Sequence, residues 1–598
     1  MNPLLWTYCL IAAVALLLLP LIFLIFRSGS HTARALTPMR LLFVCAFLSA
    51  FLIFIPIHAH SFAGSPLRIA ETLLISINSA MRLFVMDGDF DIVLGFLAAL
   101  DSPLVILYRI LAALLYVLNP LLTCGFVLSF FRNITAYQKL LLHYFSDFYV
   151  FSELNDRAVT LAASLRKKHP RCQIIFCDVF DSNDEPSFEI AQRARALGAI
   201  CFKKDIAAIN FRYHSKKKLL CFFTIGADES ENIDQSLRLI NTYSDREHTR
   251  LYIFSRSAES EYLFHELPGS GIKVRRVNPI RSLVARTLYY GGEQLFTGAA
   301  PGDDGQKHIC IVIAGLGQLG SEMLCSLPWL CQMDGYSVEI HAFDRDPHAA
   351  SRFAARAPEL VSPQLNGTDV PGEARYSITI HSGTDIDSEE FAAAIAALPK
   401  VTHVYTMLGS DEENIRAAVM LRMLCERSGH SPAIQSVVEN SGKVASLAKI
   451  KNYRGMPYRI DFIGDLDSCY SEEVILDSEL EEEALSRHLK WGDESSFWAY
   501  EFNYRSSIAT AIHMKMRIFC GIPGADKRED ALTEEERDII ERLEHRRWNA
   551  YMRADGYVYS GSRERSSRND LAKMHPDLVP FETLSEEDKR KDSRVGTK

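Results

Sequence analysis

Lysine is absent from the first 131 residues of this 598-residue chain, and the same stretch carries only six arginines and five acids. So little charge excludes an ordinary water-facing surface for this part, because soluble domains cover themselves with charged side chains. The thirteen cysteines include no C-x-x-C pair and no Cys/His cluster at ligand spacing. That removes the sequence signatures of zinc modules and disulfide frameworks, so reduced, structural thiols and a cytosolic location for the bulk of the chain are expected. A net charge of −9 offers no basic face, so no nucleic-acid partner is expected. There is no T-V-G-Y-G potassium filter. No Lys/His/Tyr constellation accompanies a glycine-rich turn at catalytic spacing, so the chain does not read as an enzyme.

What the N-terminal part has instead is apolar runs. Leu4 to Phe26 is uncharged over 23 residues, against the ~20 needed to cross a hydrocarbon core. It lacks the basic start of a secretory signal. Leu41 to Ile57 and Pro103 to Phe131, the latter interrupted by Arg109, have the same character, which predicts three spans and a membrane-lipid environment. Arg27, Arg34, Arg40, Arg132 and Lys139 fall on one side. Glu71, Asp87, Asp89, Asp91 and Asp101 outnumber Arg68 and Arg82 on the other. Basic loops stay in the cytoplasm, which predicts a multi-pass protein of the plasma (inner) membrane with its N-terminus outside. Arg109 either has a functional role inside the membrane or snorkels to the headgroups.

Between the second and third runs, Leu67 to Met86 reads as an amphipathic helix, with Arg68, Glu71, Thr72, Ser76, Ser79 and Arg82 at steps of three or four. The turn Asp87-Gly88-Asp89 follows it. Two readings stand. The turn lines a pore, where rings of carboxylate favour inorganic cations, or an interfacial helix ends in a solvated acidic turn.

From residue 146 onward strands alternate with helices, twice over, which predicts two Rossmann-like doubly wound parallel-sheet domains behind an α-helical transmembrane bundle. The second copy is the clearer. The apolar strand His308 to Ala314 runs into Gly315-Leu316-Gly317-Gln318-Leu319-Gly320 and then a helical pattern from Ser321 to Leu330. Gly315 allows the tight turn, Gly317 lets phosphates approach the backbone, and Gly320 lets helix and strand pack closely. The next strand ends at Asp344, where an acid that bonds ribose hydroxyls belongs. Gln318, Leu319 and Arg345 flank these positions. Strands Tyr376 to His381 and Thr402 to Met407 deliver Asp385 and Ser410 to the same carboxyl-end crevice, and Asp411 reads as a helix N-cap. In the first copy Ser152-Glu153-Leu154-Asn155-Asp156-Arg157 stands where the glycines should be, so that copy is expected to be mainly structural. Thr224 to Ile233 echoes Thr406 to Ile415, which makes the repeat internal.

On Gly315, Gly317, Gly320, Asp344 and the paired Asp228–Asn232 and Asp411–Asn414 signatures, the two copies, 146–297 and 307–465, resemble regulator-of-potassium-conductance domains of the TrkA-N type. The resemblance implies binding of an adenine nucleotide or NAD(H) as a ligand rather than a redox cofactor. It also implies assembly of identical chains, a tetramer foremost, into a gating ring beneath a pore. Residues 132–145 and the Gly/Asp-rich 298–306 read as linkers, and 466–530 as a helical connection. The last stretch, 531–598, is a small, mainly helical domain opened by a Thr533 to Glu536 capping box. On Glu544, His545, Trp548, Gly556 and the His575 to Pro580 run it resembles the ryanodine-receptor repeat domain, whose bacterial members are associated with nucleotide-signal sensing in anti-phage conflict. That likeness implies Glu544, His545, Arg547 and Trp548 as ligand contacts. A buried helical knot, with Glu544 paired to Arg547 three residues on, is the other reading. The combined expectation is a nucleotide-gated ion channel or membrane effector. A nonconducting anchored sensor or a tethered NAD-dependent oxidoreductase are the alternatives.

Overall fold

A computed structural model describes residues 3–26, 36–85, 87, 90–98, 104–130, 132–178, 188–257, 260, 263–264, 271–361, 376–450, 452–476 and 478–596. The chain forms two compact units, 1–139 and 140–598.

The first unit is helical, with helices Pro3–Phe26, Leu36–Ser61, Arg68–Phe84, Phe90–Ala98 and Leu104–Phe130. Two of the three expected spans contain stretches long and apolar enough to cross a membrane, Leu42–Ser61 and Val105–Cys124, whereas the first offers the shorter Leu5–Leu19 among described residues. Its interior is held by Trp6, Ala50, Ile53, Tyr108 and Leu115. The Tyr108 hydroxyl donates to the Ile53 carbonyl at 2.7 Å, and the buried Ser49 hydroxyl donates to Ala13 at 2.9 Å, joining two helices.

The helix Arg68–Phe84 turns part of its polar stripe toward the other helices. Thr72 and Ser76 are buried, while Leu73, Leu74, Ile77 and Met81 are exposed. Ser79 Oγ on this face lies 3.1 Å from His58 Nε2 of the preceding helix, while Arg68 at its start is exposed. Arg109 faces outward beside Ile106, Leu107 and Ile110, not into the bundle. Asp87 is exposed and pairs with Arg82 at 3.2 Å, while Gly88 and Asp89 lie outside the described residues.

The second unit holds two parallel sheets. The first comprises β1 (Phe148–Phe151), β2 (Gln173–Phe176), β3 (Ile200–Cys201), β4 (Leu220–Thr224), β5 (Thr249–Phe254) and β6 (Ile272–Val277), in the order β3-β2-β1-β4-β5-β6. Continuous apolar runs such as Phe-Tyr-Val-Phe suit a sheet covered on both faces, and β1, β2 and β4 are buried at every position. The rings of Phe151, Phe223 and Tyr252 stack across three strands at centroid distances of 4.7 and 5.1 Å.

Residues 298–306 are not wholly linker, because β7 (Ala300–Pro301) pairs antiparallel with the start of the next strand. The second sheet continues with β8 (Lys307–Ala314), β9 (Tyr336–Asp344), β10 (Tyr376–Ser382), β11 (His403–Thr406) and β12 (Ala433–Val437). After the hairpin β13 (Asn452–Tyr453) and β14 (Met456–Pro457) comes β15 (Ile460–Ile463), and the order is β10-β9-β8-β11-β12-β15. Each sheet thus reverses direction beside its first strand, which places a crevice outside the carboxyl ends of β1 and β4 in one copy and of β8 and β11 in the other.

Residues 466–476 do more than connect. Tyr470, Val474 and Ile475 pack into the core of the first sheet, and Lys168 bonds Glu472 at 2.7 Å. The helices Glu479–His488, Glu501–Phe519 and Glu534–Ala554 share a single apolar core with the second sheet, so the C-terminal module is built onto that copy. Thr533 and Glu536 form the expected capping box.

Candidate functional site

At the end of β8 the chain makes its turn at Gly315 with φ +96°, where a Cβ would stand 2.7 Å from the Met407 carbonyl oxygen at the end of β11. A side chain at Gly320 would collide with the Gly315 carbonyl oxygen. Gly317 differs, for no atom lies within 4 Å of the Cβ it would carry. It precedes the helix Gln318–Leu330, whose N-terminus has no side-chain cap. The turn therefore presents an open, uncapped helix N-terminus, which favours a negatively charged group through its unsatisfied N–H groups and its dipole. Leu319 is half-buried in the first turn of that helix.

Asp344 ends β9 beside the turn. Its carboxylate accepts from Leu316 N at 2.7 Å and Asp346 N at 2.8 Å. It thus braces the glycine turn, while each oxygen keeps a lone pair for a further donor. Arg345 is exposed, as is Asp385, which caps its own loop by accepting from Asp387 N at 2.9 Å. Ser410, not Asp411, is the N-cap of the helix Asp411–Arg427. The Asp411 carboxylate instead accepts from Glu439 N and Asn440 N at 2.8 and 3.2 Å, tying the ends of β11 and β12 together. The repeated asparagines have a common role. Asn414 both accepts from and donates to the Leu408 backbone, at 2.6 and 3.3 Å, as Asn232 does to Gly226 at 2.8 and 3.0 Å.

In the first copy polar side chains bridge the strand ends. Ser152 Oγ accepts from Ile225 N at 2.9 Å, Glu153 Oε2 accepts from Ala227 N at 2.8 Å, and Asn155 Nδ2 donates to Ile225 O at 2.9 Å. Three side chains thus tie the end of β1 to the end of β4, where the second copy has its glycine turn.

The carboxyl edges of the two sheets meet across a cavity of about 230 Å³ lined by Gly226, Arg256, Leu319, Glu439 and Tyr470 among others. Arg157 bonds Glu439 across it at 3.2 Å. Arg256, from the loop after β5, donates to Gln318 Oε1 at 3.3 Å and is held by Glu229 at 2.6 Å. Burial would raise the Glu229 pKa, but the bonds and charge of Arg256 outweigh it and hold the carboxyl below its usual range. A cation from the first copy thus stands at the open turn of the second. Nothing local in the sequence marks Arg256, because its relation to Gln318 exists only across the fold.

In the C-terminal module Glu544, His545 and Arg547 lie inside the protein, each 3% exposed or less. Glu544 accepts from Arg547 at 2.8 Å and from the equally buried Arg517. Arg517 Nε donates to His513 Nδ1 at 2.8 Å, and His513 Nε2 reaches the Gln332 carbonyl at 2.8 Å. His545 Nε2 bonds the Val579 carbonyl at 2.8 Å. Trp548 is half-buried, its ring edge-on to His575 at 4.9 Å. The charges of Glu544 and Arg547 are thus neutralised within the helical knot and do not line an open surface.

Among the thirteen thiols, Cys310 has an arrangement that no linear spacing shows. Its sulfur, a Glu339 carboxylate oxygen and a His341 ring nitrogen all lie within 4.8 Å of one another.

No family model matches this chain, and no curated protein matches it significantly.

Proposed function

We propose that this chain is a nucleotide-responsive membrane effector, a channel gated from its cytosolic portion, in which an adenine nucleotide or NAD(H) acts as ligand and not as redox cofactor. The observation that carries the reading is the glycine turn. Gly315 and Gly320 are required by the backbone, Gly317 leaves open space at an uncapped helix N-terminus, and Arg256 stands beside it. This combination suits a diphosphate, which takes backbone N–H donors and a guanidinium together. Asp344 and Ser410 are the ribose-side candidates.

The membrane part of the reading rests on the inverted surface of residues 1–139. Apolar side chains such as Ile11, Leu48, Leu74, Ile77 and Val117 face outward, whereas Ser49, Thr72, Ser76 and Asn119 face inward. Lipid tails favour that exterior, and of the inward groups Ser49 bonds the Ala13 and Cys45 carbonyls. Assembly as a homo-oligomer, a tetramer foremost, would place Asp87 and its neighbours around one axis and favour cations.

The helix that begins at the glycine turn runs into the C-terminal module, where the Gln332 carbonyl meets His513 and Arg546 bonds Asp334 at 2.5 Å. A ligand biases gating only through different affinities for two conformations, and this helix is the mechanical route from turn to module. A role in nucleotide-signalled defence rests on the resemblance of residues 531–598 alone.

Purified full-length chain in a planar bilayer should pass current whose open probability changes with adenine nucleotide or NAD(H). Current without ligand dependence, or ligand binding without current, would refute gating, and cofactor turnover would favour the oxidoreductase. Arg256→Ala should weaken ligand affinity about tenfold or more, since a hydrogen bond from a charged group contributes about 1.5–3 kcal/mol. Calorimetry of the variant checks this.

A further inference from the structure

We infer that Cys310, Glu339 and His341 form a binding site for a thiophilic divalent cation of the zinc class, separate from the nucleotide crevice. The parallel register sets Cys310 of β8 directly beside Glu339 of β9, and Val312 beside His341, so all three side chains fall on one face of two neighbouring strands. Thiolate, imidazole and carboxylate are the donor set that tetrahedral zinc takes, at ~2.0–2.3 Å from the ion, with three protein ligands leaving one position for water. Such bonds bring donor atoms to roughly 3.3–3.7 Å from one another. The three donor atoms already stand within 4.8 Å, so modest side-chain rotation closes the site.

Two further features suit an ion. Cys310 and His341 are buried while the Glu339 side chain is 42% exposed, giving a protected pair of donors and a way in. His341 Nε2 lies 2.9 Å from Glu339 Oε1, and its Nδ1 lies 3.2 Å from His381 Nε2. A histidine that ligates through Nε2 is held in place when its Nδ1–H donates to a partner, and His381, which continues the same face on β10, is placed to accept it. The metal-free alternative is a closed relay in which His341 bridges Glu339 and His381.

Cys310 lies five residues before Gly315 along β8, roughly 16 Å at the rise of an extended strand, so the cation would not touch the phosphates. It would instead join the two strands whose carboxyl ends carry Gly315 and Asp344.

Cobalt(II) is the probe. Titrated into the reduced full-length chain, it should give a stoichiometric thiolate-to-cobalt charge-transfer band in the near ultraviolet with the visible bands of tetrahedral cobalt, both removed by added zinc. Cys310→Ser should lose the charge-transfer band, Cys221→Ser, in the first sheet, should keep it, and the surface change Glu339→Gln should weaken binding without affecting folding. His381→Gln should weaken it about 10–100-fold, the usual consequence of removing a ligand's support. A wild-type chain without the band, or a Cys310→Ser variant that retains it, overturns the site and leaves the hydrogen-bond relay.

Discussion

Gly317→Asp should abolish binding of adenine nucleotides and NAD(H) while the protein remains folded. The space around a Cβ at this position is open and the backbone there is of a kind any residue adopts, so the new side chain meets no neighbour. It does carry a carboxylate to the place where phosphate approaches the helix N-terminus. Like charges brought together at an interface cost several kcal/mol, and about 3 kcal/mol already corresponds to a loss of affinity of about 100-fold. Asn155→Asp in the first copy keeps the oxygen that caps Ala158 and gives up only the bond to Ile225. It should leave ligand affinity unchanged. Calorimetry on both variants gives the comparison, and equal affinity of the Gly317 variant and wild type would remove the second copy as the binding site.

The largest effect on stability should come from Glu544→Gln. Glu544, Arg517 and Arg547 are each 1% exposed and lie in helices Glu501–Phe519 and Glu534–Ala554. The neutral amide removes the carboxylate charge to which both buried guanidiniums bond, a change that costs about 3–5 kcal/mol when a buried pair is broken. That is a large part of the total stability of a typical domain, about 5–15 kcal/mol. Burial alone would raise the Glu544 pKa, but the Arg547 and Arg517 charges outweigh it and the carboxyl sits below its usual range. Its stabilisation is therefore present above the unfolded-state carboxyl pKa and is lost as the pH falls through the depressed folded-state value. Thermal unfolding should occur at a clearly lower temperature in the variant, with ligand affinity of the folded protein retained. Unchanged unfolding together with lost binding would make Glu544 a ligand contact instead.

The glycine turn was legible because its demands are local. A positive φ at Gly315 and a close approach at Gly320 must be met by glycine wherever the turn occurs. The presence of two parallel sheets followed from alternating strand and helix patterns in the same way, whereas their strand order is seen only in the fold. Helix periodicity located the polar stripe of Arg68–Phe84 but could not say which way it faces. Water and lipid demand opposite orientations of the same stripe, and the burial of Thr72 and Ser76 shows the polar side packed inward. Asp411 was read as a cap because Asp favours that position, yet Ser410 takes it and Asp411 bonds Glu439 and Asn440 near the end of β12. Arg256 and the Cys310 cluster depend on contacts between segments 29 or more residues apart, set by strand register and sheet packing. No spacing along the chain encodes them.

Hydrogen exchange of the full-length chain, with and without ATP, AMP, NAD⁺ and NADH, addresses the central claim most directly. A bound diphosphate would take the free backbone N–H groups of the turn. One of these ligands should therefore slow exchange at residues 315–321, leave residues 152–157 of the first copy unchanged, and extend protection along the helix Gln318–Leu330 toward the C-terminal module. Exchange at 315–321 that none of the four ligands alters, at concentrations saturating for ordinary nucleotide sites, would contradict the account.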